Sequence, residues 1–175
     1  MTEHVQPDMS CVPYRRKGLY FLLTIPFVLL LIGTFVYLWT FSFALSLVLA
    51  LFYGMTCLFQ AYCCAYQDCP YVGGFCPAVA GIMPASLLAK LIYGQGRITK
   101  SKRMFETQAT FGVIGLLGMA FFPVFWIAKL GLLFAIGYVV YHGLNYVVFL
   151  FTICPACAIR HTCPGGKLLG VLVKA

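Results

Sequence analysis

Residues 18–64 read GLYFLLTIPFVLLLIGTFVYLWTFSFALSLVLALFYGMTCLFQAYCC, without a single Asp, Glu, Lys or Arg. About 20 apolar residues suffice to cross the roughly 30 Å hydrocarbon core of a bilayer as a helix, so this stretch is too long for one pass and the right length for two. The expected spans are 18–39 and 42–64, joined by a very short turn at Trp39-Thr40. The pattern recurs downstream, with spans expected at 108–128 and 130–153 around a turn at Lys129. These runs are apolar on every face, whereas a transmembrane β-barrel alternates apolar and polar residues in strands of about ten. The fold class that follows is an all-α integral membrane protein of four transmembrane helices. They are expected to form two helical hairpins, with cysteine-rich cytoplasmic loops after the second and fourth helices.

Composition agrees. Of 175 residues, 62% are hydrophobic and 9% charged, with a mean hydropathy of +0.95, against about 45–50% and about 25% in a soluble domain. The chain divides into an N-terminal segment (1–17), a first hairpin (18–64), a cysteine-rich loop (65–107), a second hairpin (108–153) and a cysteine-rich C-terminal segment (154–175). Within the loop, PAVAGIMPASLLAKLIYG (77–94) is too short and too proline-punctuated to span, and reads as a re-entrant or interfacial segment. The C-terminal GKLLGVLVKA reads as a piece lying on the membrane surface. The first apolar run has full membrane length and no convincing cleavage site after it, so it is expected to stay as an anchor.

Orientation follows from the cations. Arg15, Arg16 and Lys17 precede the first span; Lys90, Arg97, Lys100, Lys102 and Arg103 lie between the second and third; Arg160, Lys167 and Lys174 follow the fourth. Only Lys129 falls on the other side. The positive-inside rule then places the N-terminus, the long loop and the C-terminus in the cytoplasm. The net charge of +8 is accounted for by this topology and by attraction to anionic lipid head groups, and it gives no reason to invoke nucleic acid.

Seven of the nine cysteines fall in two clusters, CCAYQDCPYVGGFCP (63–77) and CPACAIRHTCP (154–164), and four of the seven precede proline. A cytoplasmic location is reducing, which disfavours disulfides and favours metal ligation or redox chemistry; disulfides and unligated thiols are the alternatives. Each cluster carries Cys-Ala, a short spacer, Cys-Pro and Gly-Gly, a pseudo-repeat in which a quasi-twofold axis along the membrane normal would bring the two loops together. Proline after cysteine fixes φ and withholds an N–H, which is expected to stop the helix. Glycine admits the positive φ values that would turn backbone N–H groups toward sulfur, and such hydrogen bonds tune iron–sulfur potentials. The spacing fits neither a zinc finger with paired knuckles nor the bacterial ferredoxin run. The candidate ligands are Cys69, Cys76, Cys154, Cys157 and Cys163 drawn from both loops, with Cys63 or Cys64 in reserve and His161 as a nitrogen donor. Soft thiolates select zinc, Cu(I) or iron–sulfur clusters; an iron–sulfur cluster is favoured, with zinc as the alternative.

Inside the membrane, His142 and Asn145 are three positions apart on the fourth span and so share a helical face. Ionisable groups at that depth face the bundle interior or a functional cavity, which makes His142 the candidate for contact with a cofactor, a quinone or a proton path. The structural alternative is a hydrogen bond to Ser46, Tyr53, Thr56 or Gln60 of the second span. Cys57 is expected to pack as a small hydrophobe.

Three functions compete. The favoured one is a small electron-transfer subunit with a cysteine-ligated centre at the cytoplasmic face, exchanging electrons with a membrane quinone or a partner protein. The second is an accessory or assembly subunit in which zinc or disulfides pin the loops and the helices pack on other membrane subunits or on a second copy, with Gly115, Gly118, Gly131 and Gly137 allowing close approach. The third is a handler of soft metal ions. With Glu3, Asp8, Asp68 and Glu106 the only carboxylates, a paired acid and base inside the bundle is excluded. No phosphate-binding or dinucleotide fingerprint is present.

Overall fold

The computed structural model describes residues 17–69, 72–73, 85–94, 101–152, 155 and 169–171. The described residues are helical, with no strand among them, and the helices run α1 (Lys17–Phe41), α2 (Phe43–Tyr66), α3 (Ala85–Tyr93), α4 (Lys102–Phe121), α5 (Val124–Ile127) and α6 (Leu132–Thr152). Four segments are long and apolar enough to cross a membrane: Phe21–Phe41, Phe43–Tyr66, Lys102–Ile127 and Leu132–Thr152. The chain is a multi-pass membrane protein on that ground.

Each break between helices has a local cause. Ser42, in extended conformation at φ −167°, separates α1 from α2, and its Oγ accepts from the Ala44 N–H at 3.2 Å as an N-cap. Pro123 interrupts the third pass, which continues as the single turn α5. Gly131, at φ +143°, takes the reversal into α6 in a region closed to side chains. Helix α4 begins at Lys102 rather than near 108, because Ser101 caps it through a contact to the Met104 N–H at 3.5 Å and Lys102 pairs with Glu106 at 3.8 Å. Polar residues read as loop are therefore its first turn. Helix α3 has nine residues, about 14 Å at 1.5 Å per residue, and is too short to span.

The helices meet around a core of Phe27, Leu38, Leu49, Cys57, Met119 and Phe149, with a second cluster of Ile127, Ala135 and Tyr138. Cys57 packs here as the small hydrophobe its position called for. Large apolar side chains such as Leu22, Leu29, Leu51, Leu133 and Phe151 cover the outside, as a surface solvated by lipid requires. The closest approach is between α2 and α4, where Gly112, Gly115 and Gly118 face Phe59, Thr56 and Phe52. A Cβ on Gly115 would lie 2.7 Å from the Phe52 carbonyl oxygen, so only glycine fits there.

Six hydroxyls within the spans are bonded to backbone, since lipid offers no substitute. The hydroxyls of Thr34, Thr56 and Thr152 donate to the carbonyls of Leu30, Phe52 and Val148, one turn back. Three more link helices: Ser46 donates to Phe35 O at 3.0 Å, Tyr37 to Trp126 O at 3.1 Å and Tyr138 to Met119 O at 2.9 Å. Lys129 lies 5.3 Å from the ring centres of both Phe41 and Phe125, a cation–π clamp. With the Tyr37 bond it brings the Ser42 break and the Gly131 turn to the same end of the bundle. At the opposite end, Tyr62 packs on Tyr93 of α3, and Tyr66 on Phe105 of α4 at 4.7 Å.

Candidate functional site

The first cysteine cluster begins inside α2 and ends just past it. The Cys69 N–H donates to Cys64 O at 2.9 Å, and the Asp68 N–H donates to Ala65 O at 3.3 Å, with Asp68 at φ +49°. This pair of bonds, the outer spanning five residues and the inner three, is a Schellman closure, and Asp68 holds the left-handed position that usually belongs to glycine. Aspartate is one of the few side chains that enters this region readily. Helix α2 ends at Tyr66, with the left-handed Asp68 closing it; Pro70 lies outside the described residues. Gly73 does adopt a positive φ, +79°, but its N–H donates to Ser86 O at 3.0 Å, tying the loop to α3 rather than to a sulfur.

The closure has a chemical consequence. In a Schellman motif, the side chain after the left-handed residue frequently packs on those at the start of the helix's last turn. Here the former is Cys69 and the latter are Cys64 and Cys63. Cys64 and Cys69 are both buried, and the backbone bond from the Cys69 N–H to Cys64 O holds the two residues at the C-terminal end of α2. The Lys90 side chain lies against Gly73 in the same loop. Among the described residues, no three of His, Cys, Asp and Glu gather as a metal-binding group. Cys76, Cys154, Cys157 and Cys163, together with His161, lie outside the described residues. Cys64 was legible only as a reserve ligand, because the five-residue offset to Cys69 acquires its meaning from the left-handed Asp68 between them.

His142 lies ten residues from either end of α6 (Leu132–Thr152), about 15 Å along the axis, so it is not part of the thiol end. It is 3% exposed. Its ring is enclosed by Tyr138 at 4.5 Å, Phe27 of α1 at 5.4 Å, Tyr146 at 6.2 Å and Tyr141 at 6.3 Å between centroids. Neither Nδ1 nor Nε2 has a hydrogen-bond partner among the described residues. The expected alternative, a bond to Ser46, Tyr53, Thr56 or Gln60 of α2, is therefore not made. Ser46 and Thr56 donate to backbone carbonyls instead, and the imidazole faces α1. Asn145 Nδ2, Tyr146 Oη and Thr24 Oγ1 are likewise buried without partners. Tyr146 follows His142 by four residues in α6 and so shares its face, a relation that the spacing alone could have shown.

No family model, characterised protein or solved structure matches this chain.

Proposed function

We propose that this chain is a small integral membrane subunit, built as two helical hairpins, that carries a cysteine-ligated metal centre at its cytoplasmic end and passes electrons within a membrane complex. The observation that carries the reading is the Schellman closure that sets Cys69 beside Cys64. It holds two cysteines, each a soft donor, at one helix end without requiring a disulfide. The remaining ligands are assigned to Cys76, Cys154, Cys157 and Cys163, and the centre to an iron–sulfur cluster. Lys90, held against the same loop, supplies positive charge to offset the negative charge of several thiolates. The cytoplasmic orientation rests on the eleven basic residues that flank this end, and the electron partner is a membrane quinone or an adjoining subunit.

The same cysteine pair serves equally well as half of a structural zinc site in an assembly subunit, with the thiolates pinning the loops. This second reading has fewer glycines for contact with partners than the sequence offered. Gly115 and Gly118 are spent on the α2–α4 contact, whereas Gly137 is open to its surroundings. Anaerobic purification followed by metal and acid-labile sulfide analysis decides between the two. Iron with stoichiometric sulfide and a reducible visible spectrum supports the electron-transfer reading, and Cys69→Ser should lower the metal content severalfold. Zinc without sulfide supports the assembly reading. A metal-free preparation with all thiols titratable overturns both.

A further inference from the structure

The first and last long helices stand apart between two points of contact. At the end of the Ser42 break, Tyr37 of α1 donates to the Trp126 carbonyl, and deeper in the bundle Phe27 packs on His142 of α6. A lateral groove of about 540 Å³ lies between these contacts. Its walls run from Leu29 to Tyr37 on α1 and from Leu133 to Tyr141 on α6, each about 12 Å long at 1.5 Å per residue. Gly33 and Gly137 stand half-way along the two walls, and a Cβ added to either meets nothing within 4 Å. The buried polar atoms of His142 and Asn145 take no part in the lining.

The lining names the chemistry of the occupant. The hydroxyls of Thr34, Tyr37 and Tyr138 each donate to a backbone carbonyl already, so these walls offer hydrocarbon and aromatic faces. Leu133 and Phe134 at the margin are exposed on the lipid-facing surface, so the groove opens to the bilayer. A helix 10–12 Å across and as long as the walls would need about 900–1,400 Å³, more than the groove holds, whereas a single acyl chain is slender enough to enter it. One leaflet contributes about 15 Å of the roughly 30 Å hydrocarbon core, which matches the length of the walls. At the outer end, Leu130 lines the groove and Lys129 precedes it. The Lys129 ammonium lies 5.3 Å from the ring centre of Phe41, which packs on Tyr37 of the groove wall at 5.1 Å. A ring contact leaves the ammonium its full charge. The carboxylates among the described residues, Asp68 and Glu106, belong to the opposite end of the bundle. A cation at the mouth of an apolar groove one leaflet long complements a phosphate carrying an acyl chain.

We infer that the α1–α6 groove is a binding site for one anionic phospholipid of the leaflet at the Lys129 end, with an acyl chain lying between Gly33 and Gly137 and the phosphate meeting the Lys129 ammonium. The lipid fills the gap that the two helices leave and so joins the first span to the last, stabilising the fold by mass action. The site goes beyond the electron-transfer reading and stands whichever metal the cysteines hold.

The test uses the full chain in detergent micelles titrated with dioleoylphosphatidylglycerol, with bound lipid counted by native mass spectrometry and the unfolding temperature followed alongside. A single retained lipid per chain and a rise in unfolding temperature are expected. Gly33→Phe and Gly137→Phe fill the groove from opposite walls and should each remove both effects. Gly54→Phe, equally unobstructed but on α2 and outside the groove, should bind as wild type. Lys129→Gln should weaken retention about fivefold, the effect of one cation on an anionic head group, and erase the preference over dioleoylglycerol, which lacks the phosphate. A phosphatidylglycerol carrying a diazirine in mid-chain checks the placement without any substitution, and should label the two walls in preference to lipid-facing residues elsewhere such as Leu51 and Phe151. Retention that survives both phenylalanine variants, or labelling spread evenly over the lipid-facing surface, overturns the site. Equal retention of dioleoylglycerol by the wild type overturns the head-group assignment. A dimer that the phenylalanine variants dissociate gives the groove to a second copy of the chain and overturns the lipid.

Discussion

Replacing Gly115 by alanine tests the packing on which the bundle depends. The added Cβ would stand 2.6 Å from Thr56 Oγ1 and 2.7 Å from the Phe52 carbonyl oxygen. Neither atom can swing aside, because the first is hydrogen-bonded to the second at 3.0 Å and the second is backbone. Ordinary contact begins at 3.4 Å, so α2 and α4 must part by about 0.7 Å. A gap of 0.5–1 Å forfeits about a quarter to a half of each dispersion contact across it, and the separation would be felt by the Gly112–Phe59 and Gly118–Phe52 contacts as well. Overpacking of this kind costs about 1–3 kcal/mol, and the better helix propensity of alanine returns up to about 1 kcal/mol. The expected net loss is about 1–2 kcal/mol. Gly137→Ala is the matched control, since its Cβ meets nothing within 4 Å, and it should be neutral or slightly stabilising. Reversible unfolding by SDS titration in bicelles, followed by the emission of Trp39 and Trp126, measures both. If Gly115→Ala falls within about 0.5 kcal/mol of wild type, the usual span for substitutions away from such contacts, or if Gly137→Ala costs as much, the close α2–α4 approach is wrong.

Two further predictions concern the thiol end and the topology. Asp68→Gly should preserve the α2 closure, whereas Asp68→Val should destabilise it by about 1–2 kcal/mol, the cost of a left-handed residue with a full side chain; metal content and cysteine alkylation rates should change in the valine variant alone, and equal behaviour of the two would remove the Schellman assignment. For orientation, cysteines introduced at Thr40 and Lys102, both exposed and at opposite ends of the bundle, should differ in intact cells. An impermeant maleimide should label the first and spare the second, and the reverse pattern would move the cysteine clusters into a disulfide-permissive compartment.

The residues divide according to the range of the interactions that give them meaning. The uncharged run 18–64 and its downstream counterpart settle helical spans by length alone, because a bilayer core leaves the backbone no partner but itself. The depth of His142 follows from its distance to the ends of that run. The start of α4 was not legible in this way: Lys102, Arg103 and Glu106 look like loop residues to a hydropathy argument, but a Ser101 cap and an i,i+4 ion pair hold them in a helix. Nor could the helix stop at Asp68 be read from Cys69-Pro70, since proline is the expected breaker there and only the backbone path shows the left-handed aspartate.

The sequence by itself determined that the chain crosses the membrane as apolar helices, that its cysteines cluster where those helices end, and that a histidine lies deep within the last of them. These properties depend on local composition and on length. Only the tertiary structure decided which faces meet: that Gly115 lies against the Phe52 carbonyl, and that Cys69 closes on Cys64. It also decided that His142 turns toward Phe27 of α1 and leaves both ring nitrogens without a partner. In helices that are apolar all round, no hydrophobic stripe marks the inward side, because lipid and core are alike to a leucine. The choice of neighbour then falls to close packing and to a few hydrogen bonds, which exist only once the helices are side by side.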